Sequence, residues 1–160
     1  MTEKKFWKII DKSRSRVNKN SEQHQARLIR RLAKRSVGDI MMFDTIFTHY
    51  MNMANTWELK AASHIMNPKG GEVFFADFRG WLISQGRKKY YKALKNPESL
   101  TKIISRRDPM DWVGYGACAL EAYELKTGKE LPPPHSIKGI KWEEDDLPAK
   151  FPRLWQRFGG

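Results

Sequence analysis

The chain reads as an all-α protein, and three observations carry that expectation. Apolar residues recur at intervals of three and four through most of the chain before residue 127, which is the spacing of one helix face. Ser, Thr and Asp stand ahead of these runs, with Gly, Asn or Pro behind them, as helix caps and stops do. The one β-like run, Val73-Phe74-Phe75, lies inside a stretch too long and too charged for a strand. The pattern predicts a single compact domain of about six helices over residues 1–131. A proline-led C-terminal extension, 132–160, is expected to pack on that domain.

Thr2 suits the N-cap of a first helix, 2–14, in which Phe6, Ile9 and Ile10 share a face. After a polar break at Asn18, Asn20 and Ser21, with Ser21 as the expected cap, a second helix covers about 22–35. Leu28, Ile29 and Leu32 are its apolar positions. Ser36, Gly38 and Asp39 interrupt the pattern, and Asp39 looks like the next cap. Ile40, Phe43, Ile46, Phe47, Tyr50 and Met51 then define one wide apolar face. Thr56 can cap a helix carrying Trp57, Ala61, Ala62 and Ile65, stopped by Asn67, Pro68, Gly70 and Gly71.

From Glu72 onward, Phe74, Phe78, Trp81 and Leu82 fall on one stripe with Phe75 at its edge. Gly80 costs this helix ~1 kcal/mol relative to Ala, a cost that close approach of another element beside Trp81 would explain. Gly86 ends or interrupts it, and Tyr90, Tyr91 and Leu94 suggest more helix. Pro97 suits the start of a short helix to Ser105. Asp108-Pro109 is expected to open a longer one, 109–126, with Gly128 as its stop. Three prolines, 132–134, then make a stiff segment. Beyond them Trp142, Leu147, Phe151, Leu154, Trp155 and Phe158 are too many large apolar residues for a free tail.

Composition removes several classes. The 160 residues are 40% hydrophobic, with eight Phe, six Trp and five Tyr, which excludes a disordered chain. The longest stretch without a charged side chain, Thr45 to Trp57, falls short of the ~20 apolar residues of a membrane helix, so no membrane association is expected. The opening MTEKKFWKIIDKSR has no apolar run of signal-peptide length. One cysteine, Cys118, permits neither an intramolecular disulfide nor a Cys-based zinc site and suits a reducing cytoplasm. The formal net charge is +12, of which residues 1–40 supply +8, with 12 Lys/Arg against 4 Asp/Glu. Charge of this kind speaks to partners rather than to fold.

The stretch TWELKAASHIMNPKGGEVFFADFRGWLISQGR, Thr56 to Arg87, resembles the signature segment of a bacterial family known as domain of unknown function 4240. Its core phrase runs from Asp77 to Ile83. The opening TEKKFWKIIDKSR and the ending WEEDDLPAKFPRLW are similar to the family's start and end. The resemblance implies a mainly helical, intracellular protein. In some proteins a similar domain accompanies a WGR module, which implies a nucleic-acid or stress-response setting. It brings no catalytic residue.

Two groups of side chains qualify as sites. Trp57, His64, Asp77, Arg79 and Trp81 are candidates for a ligand pocket: Asp77 and Trp81 are four apart on one helix face, and His64 is a potential base. The plainer alternative puts Asp77 at a helix terminus and Arg79 in a surface ion pair. The second group is basic. Arg27, Arg30, Arg31, Lys34 and Arg35 recur at helical spacing, and Arg87, Lys88, Lys89, Lys92 and Lys95 form another run. Together they would suit a polyphosphate, or else they are solvated faces. His24 and His135 are expected in exposed regions, and Cys118 as an inert core thiol.

No HExxH or HxxxH spacing occurs, so no metal site is expected. No GxGxxG, P-loop or GxSxG pattern occurs, so no cofactor is expected either. The favoured function is a non-enzymatic binding module whose basic face takes nucleic acid or another polyanion. The alternatives are an enzyme or small-ligand binder with a pocket around the DFRGWL segment, and a module that binds a protein partner through the aromatic tail.

Overall fold

A computed structural model describes residues 1–14, 20–132 and 143–159, and its regular elements there are all helical. In chain order they are α1 (Glu3–Arg14), α2 (Ser21–Ala33), α3 (Val37–Met53), α4 (Trp57–Met66), α5 (Gly71–Ser84), α6 (Arg87–Lys95), α7 (Cys118–Thr127), α8 (Leu147–Lys150) and α9 (Pro152–Phe158). Short 3₁₀ turns occur at Pro97–Lys102, Tyr115–Ala117 and Glu144–Asp146. The count exceeds six because the chain breaks at Gly86 and the extension forms two short helices of its own. Gly86 has φ 94, a left-handed conformation that favours glycine.

Caps fix the helix starts. Thr2 accepts from the Lys5 amide at 3.3 Å and Thr56 from the Leu59 amide at 3.2 Å, as their sequence positions predict. Two expected caps move by one to three residues. Asn20, not Ser21, caps α2, accepting from the Gln23 amide at 2.9 Å. Ser36, not Asp39, caps α3, and the Asp39 amide is its donor at 3.1 Å. Asn and Ser at these places out-compete the later residue because they alone precede the first helical turn.

The expected helix 109–126 is shorter. It is irregular to Gly114, makes one 3₁₀ turn, and becomes α-helical only at Cys118. Met110 has φ 52 and Gly114 φ 108, and a residue with positive φ cannot belong to a right-handed helix. The segment 97–105 likewise forms a 3₁₀ turn that ends at Lys102.

The core gathers Phe6, Ile9 and Ile10 of α1, Leu28 and Leu32 of α2, and Ile40, Phe43, Phe47 and Tyr50 of α3. Phe75, Phe78, Trp81 and Leu82 of α5 join them. Burying one such side chain is worth ~1.5–3 kcal/mol, so the three on α1 hold that helix to the body. Trp7 Nε1 donates to the Tyr50 hydroxyl at 3.2 Å, and the Tyr90 hydroxyl to the Tyr50 carbonyl at 2.6 Å. Gly80 lets α5 approach the 3₁₀ turn: a Cβ there would stand 3.3 Å from Tyr115 Cβ.

On α4 the buried face differs from the expected one. Leu59 and Ser63 point inward, while Trp57 and Ile65 are 81% and 78% exposed. The aromatic extension also differs: Phe151, Leu154, Trp155 and Phe158 are exposed, and none belongs to the core cluster. The extension's helices α8 and α9 contact each other. Each is too short to bury a full apolar stripe, and helices of this length gain stability mainly from tertiary packing. Trp142 lies outside the described residues.

Candidate polyanion-binding groove

α1 and α2 lie antiparallel, closed at one end where Ser13 and His24 meet. On their outer side they enclose an open groove of about 710 Å³. Lys5, Lys8 and Lys12 of α1 line one wall. Arg27, Arg30 and Arg31 of α2, followed by Lys34 and Arg35, line the other, and among the described residues no acidic side chain contributes. Helical spacing explains the array. Lys5, Lys8 and Lys12 recur at three and four, as do Arg27, Arg30, Arg31 and Lys34, so each set stays on one face. The inward faces are the apolar positions that hold the helices to the body.

Arg27 ties the walls together, donating from Nη2 to the Lys12 carbonyl at 3.4 Å. Arg30 Nε reaches the Ala26 carbonyl at 3.3 Å. Lys12 is seven positions on from Lys5, and Lys34 seven on from Arg27, so each wall presents cations over ~10 Å. Packed this closely, like charges repel, and an anion between them relieves the repulsion.

The second basic run lies elsewhere. Arg87, Lys88, Lys89 and Lys92 are on α6, which packs against α5 and the turn at Pro97–Lys102, and none lines the groove. Arg87 instead lies 5.3 Å from the Tyr91 ring. Of the eight cations that line the groove among the described residues, the sequence pointed to the five from α2 and its end. Lys5, Lys8 and Lys12 were missed, and their spacing was the available signal.

The five pocket candidates are not assembled around one space. Trp57 is exposed, with Lys60 Nζ 5.2 Å from its ring centroid, and Lys60 pairs with Glu72. His64 is exposed. Arg79 Nη1 donates to the Met51 carbonyl in the last turn of α3 at 3.0 Å, and its guanidinium lies 4.6 Å from the Phe75 ring centroid. Burial lowers the Arg79 pKa from its ordinary value. Asp77 is half-buried; burial first, and the Asp111 charge second, raise its pKa. Trp81 stacks on Trp112, with centroids 4.4 Å apart at 18°. Of the five, only Trp81 lines the separate cavity of about 680 Å³ between the start of α2 and residues 108–115.

Beneath that cavity lies a polar chain. Ser13 Oγ donates to the Ile10 carbonyl at 2.7 Å, which leaves it to accept from His24 Nε2 at 2.9 Å. His24 Nδ1 then accepts from the Tyr115 hydroxyl at 3.1 Å. This network assigns the neutral Nε2–H tautomer. Burial, and next the Arg14 charge, push the His24 pKa down to about 4. His24 is therefore a buried neutral hydrogen-bonder rather than the exposed residue expected. Cys118 is buried as expected, and burial followed by the Glu121 charge raises its thiol to about 12, so it is not nucleophilic at neutral pH.

Among the described residues, no group of three or more His, Cys, Asp or Glu side chains is placed to hold a metal ion, and no helix is long and apolar enough to cross a membrane. The family profile for a protein of unknown function, DUF4240, matches residues 1–125, which include α1 to α6 and most of α7. No curated protein and no solved structure matches.

Proposed function

Starting from a chain that belongs to the DUF4240 family of proteins of unknown function, we propose that it is a non-enzymatic binding module whose α1–α2 groove holds the phosphate backbone of a nucleic acid. One observation carries the reading: among the described residues, eight cations and no carboxylate line a single groove. Phosphate contact needs charge and reach, not a reactive group. The length of the two cationic walls suits a linear polyanion better than one phosphate. Base-specific reading is not part of the proposal, because among the described residues no aromatic or amide side chain lines the groove. A cytoplasmic setting fits the reduced, buried Cys118.

The test is anisotropy of a fluorescein-labelled DNA oligonucleotide. The reading predicts binding at 50 mM salt, weakened at least tenfold at 200 mM. Arg30→Glu/Arg31→Glu is expected to abolish it, while Arg87→Glu/Lys88→Glu on α6 weakens it far less. Equal loss from the two variants, or binding indifferent to salt, would overturn the reading.

A second reading has an observation of its own. Phe151, Leu154, Trp155 and Phe158 recur at three and four and are exposed, the stripe with which a short amphipathic helix enters a partner's groove. On this reading the extension binds a protein, and replacing Leu154 and Trp155 by Ala removes that partner without affecting the oligonucleotide.

A further inference from the structure

The chain carries a second linear array of charge, of opposite sign. Glu143, Glu144, Asp145 and Asp146 follow one another before α8, and all four are exposed. They lie beyond the residues matched by the family profile. The place where the body releases the chain relates this run to the groove. α2 and the segment 115–127 run side by side in the same direction. At their starts Tyr115 meets His24, and at their ends Lys126 Nζ donates to the Ala33 carbonyl at 3.4 Å. The two residues after Ala33 are Lys34 and Arg35, which line the groove. The left-handed Gly128 (φ 69) stops α7, and Leu131 packs against the core. The chain thus leaves the body near the groove's Lys34–Arg35 end.

Ten residues, 133–142, and so eleven residue-to-residue steps, separate Pro132 from Glu143. A segment of that length spans at most ~36–40 Å, several times the ~10 Å of each groove wall.

We propose that the Glu143–Asp146 run is a tethered competitor for the α1–α2 groove, docking among its cations when no polyanion is bound. This rests on the groove being the polyanion site. Four carboxylates offset only half of the eight cations, so a longer polyanion displaces the run. Intramolecular docking limits binding to partners with more charge than the tail, which raises selectivity for long polyphosphates over small anions. The solvent-exposed run is the released form.

The full chain is compared with a variant carrying Glu143→Gln, Glu144→Gln, Asp145→Asn and Asp146→Asn. A control carries Glu58→Gln, Glu98→Gln, Glu121→Gln and Glu124→Gln, which changes net charge equally. The proposal expects the tail variant to bind a labelled oligonucleotide about five- to tenfold more tightly at 50 mM salt, with the control within about twofold of the native chain. Carbodiimide cross-linking of the probe-free native chain is expected to join the acidic run to Lys5, Lys8, Lys12 or Lys34, and added oligonucleotide to suppress those links. Equal affinity of the tail variant and the control overturns the competition, and cross-links confined to Lys150 overturn the docking. Cross-links to groove lysines in a chain that binds no oligonucleotide support the docking and overturn only the polyanion reading.

Discussion

At the scale of single residues, His24 has the sharpest measurable consequence. Its folded pKa of about 4 lies below the ordinary 6.5. As pH falls through 6.5, the unfolded chain takes up a proton that the folded chain refuses until about 4. Stability is therefore full above 6.5 and is lost between 6.5 and 4, by roughly 3 kcal/mol from this group. Urea melts at pH 7 and pH 5 should show this fall, and His24→Gln should flatten it. An equal pH dependence in both proteins would mean that His24 is not buried neutral. The sequence hid this role because His24 sits among polar neighbours, and only the meeting of three separate elements makes its site apolar. Cys118 was legible because small and apolar residues surround it in the sequence itself.

At the scale of elements, periodicity located most helices, and its failures have physical causes. α4 turned its apolar Trp57 and Ile65 outward because Leu59 and Ser63 occupy the contact face. Periodicity gives a spacing without saying which face meets the core. The 109–126 segment failed because positive φ at Met110 leaves no mark in a sequence. Gly80 was legible as a close-approach site, and the 3.3 Å separation from Tyr115 Cβ gives it a sign. Alanine would gain ~1 kcal/mol of helix propensity, but Tyr115 is buried and held by His24, so overpacking costs ~1–3 kcal/mol. Gly80→Ala should lower stability by about 1 kcal/mol in denaturant melts; an increase would mean the turn yields freely.

At the scale of the whole molecule, the +12 charge resolves into arrays with separate places. The α2 run was legible, and its union with α1 needed the antiparallel pairing. The sequence left open whether this run and the α6 run share a face; α6 packs beside α5 and residues 97–102, while α2 packs between α1 and α7. The aromatic pocket candidates were misleading as a set for a related reason. They share a sequence neighbourhood, but Arg79 turns to the end of α3, Trp81 to Trp112, and Trp57 to solvent.

The central claim, that the groove's cations meet phosphates, is tested most directly by the salt dependence of oligonucleotide binding. Each duplex phosphate contact contributes about −0.9 to the slope of log K against log salt. Contact by all eight described groove cations would give a slope of about −7, and Arg30→Gln/Arg31→Gln should make it shallower by about 2. A slope that the double substitution leaves unchanged would contradict the claim.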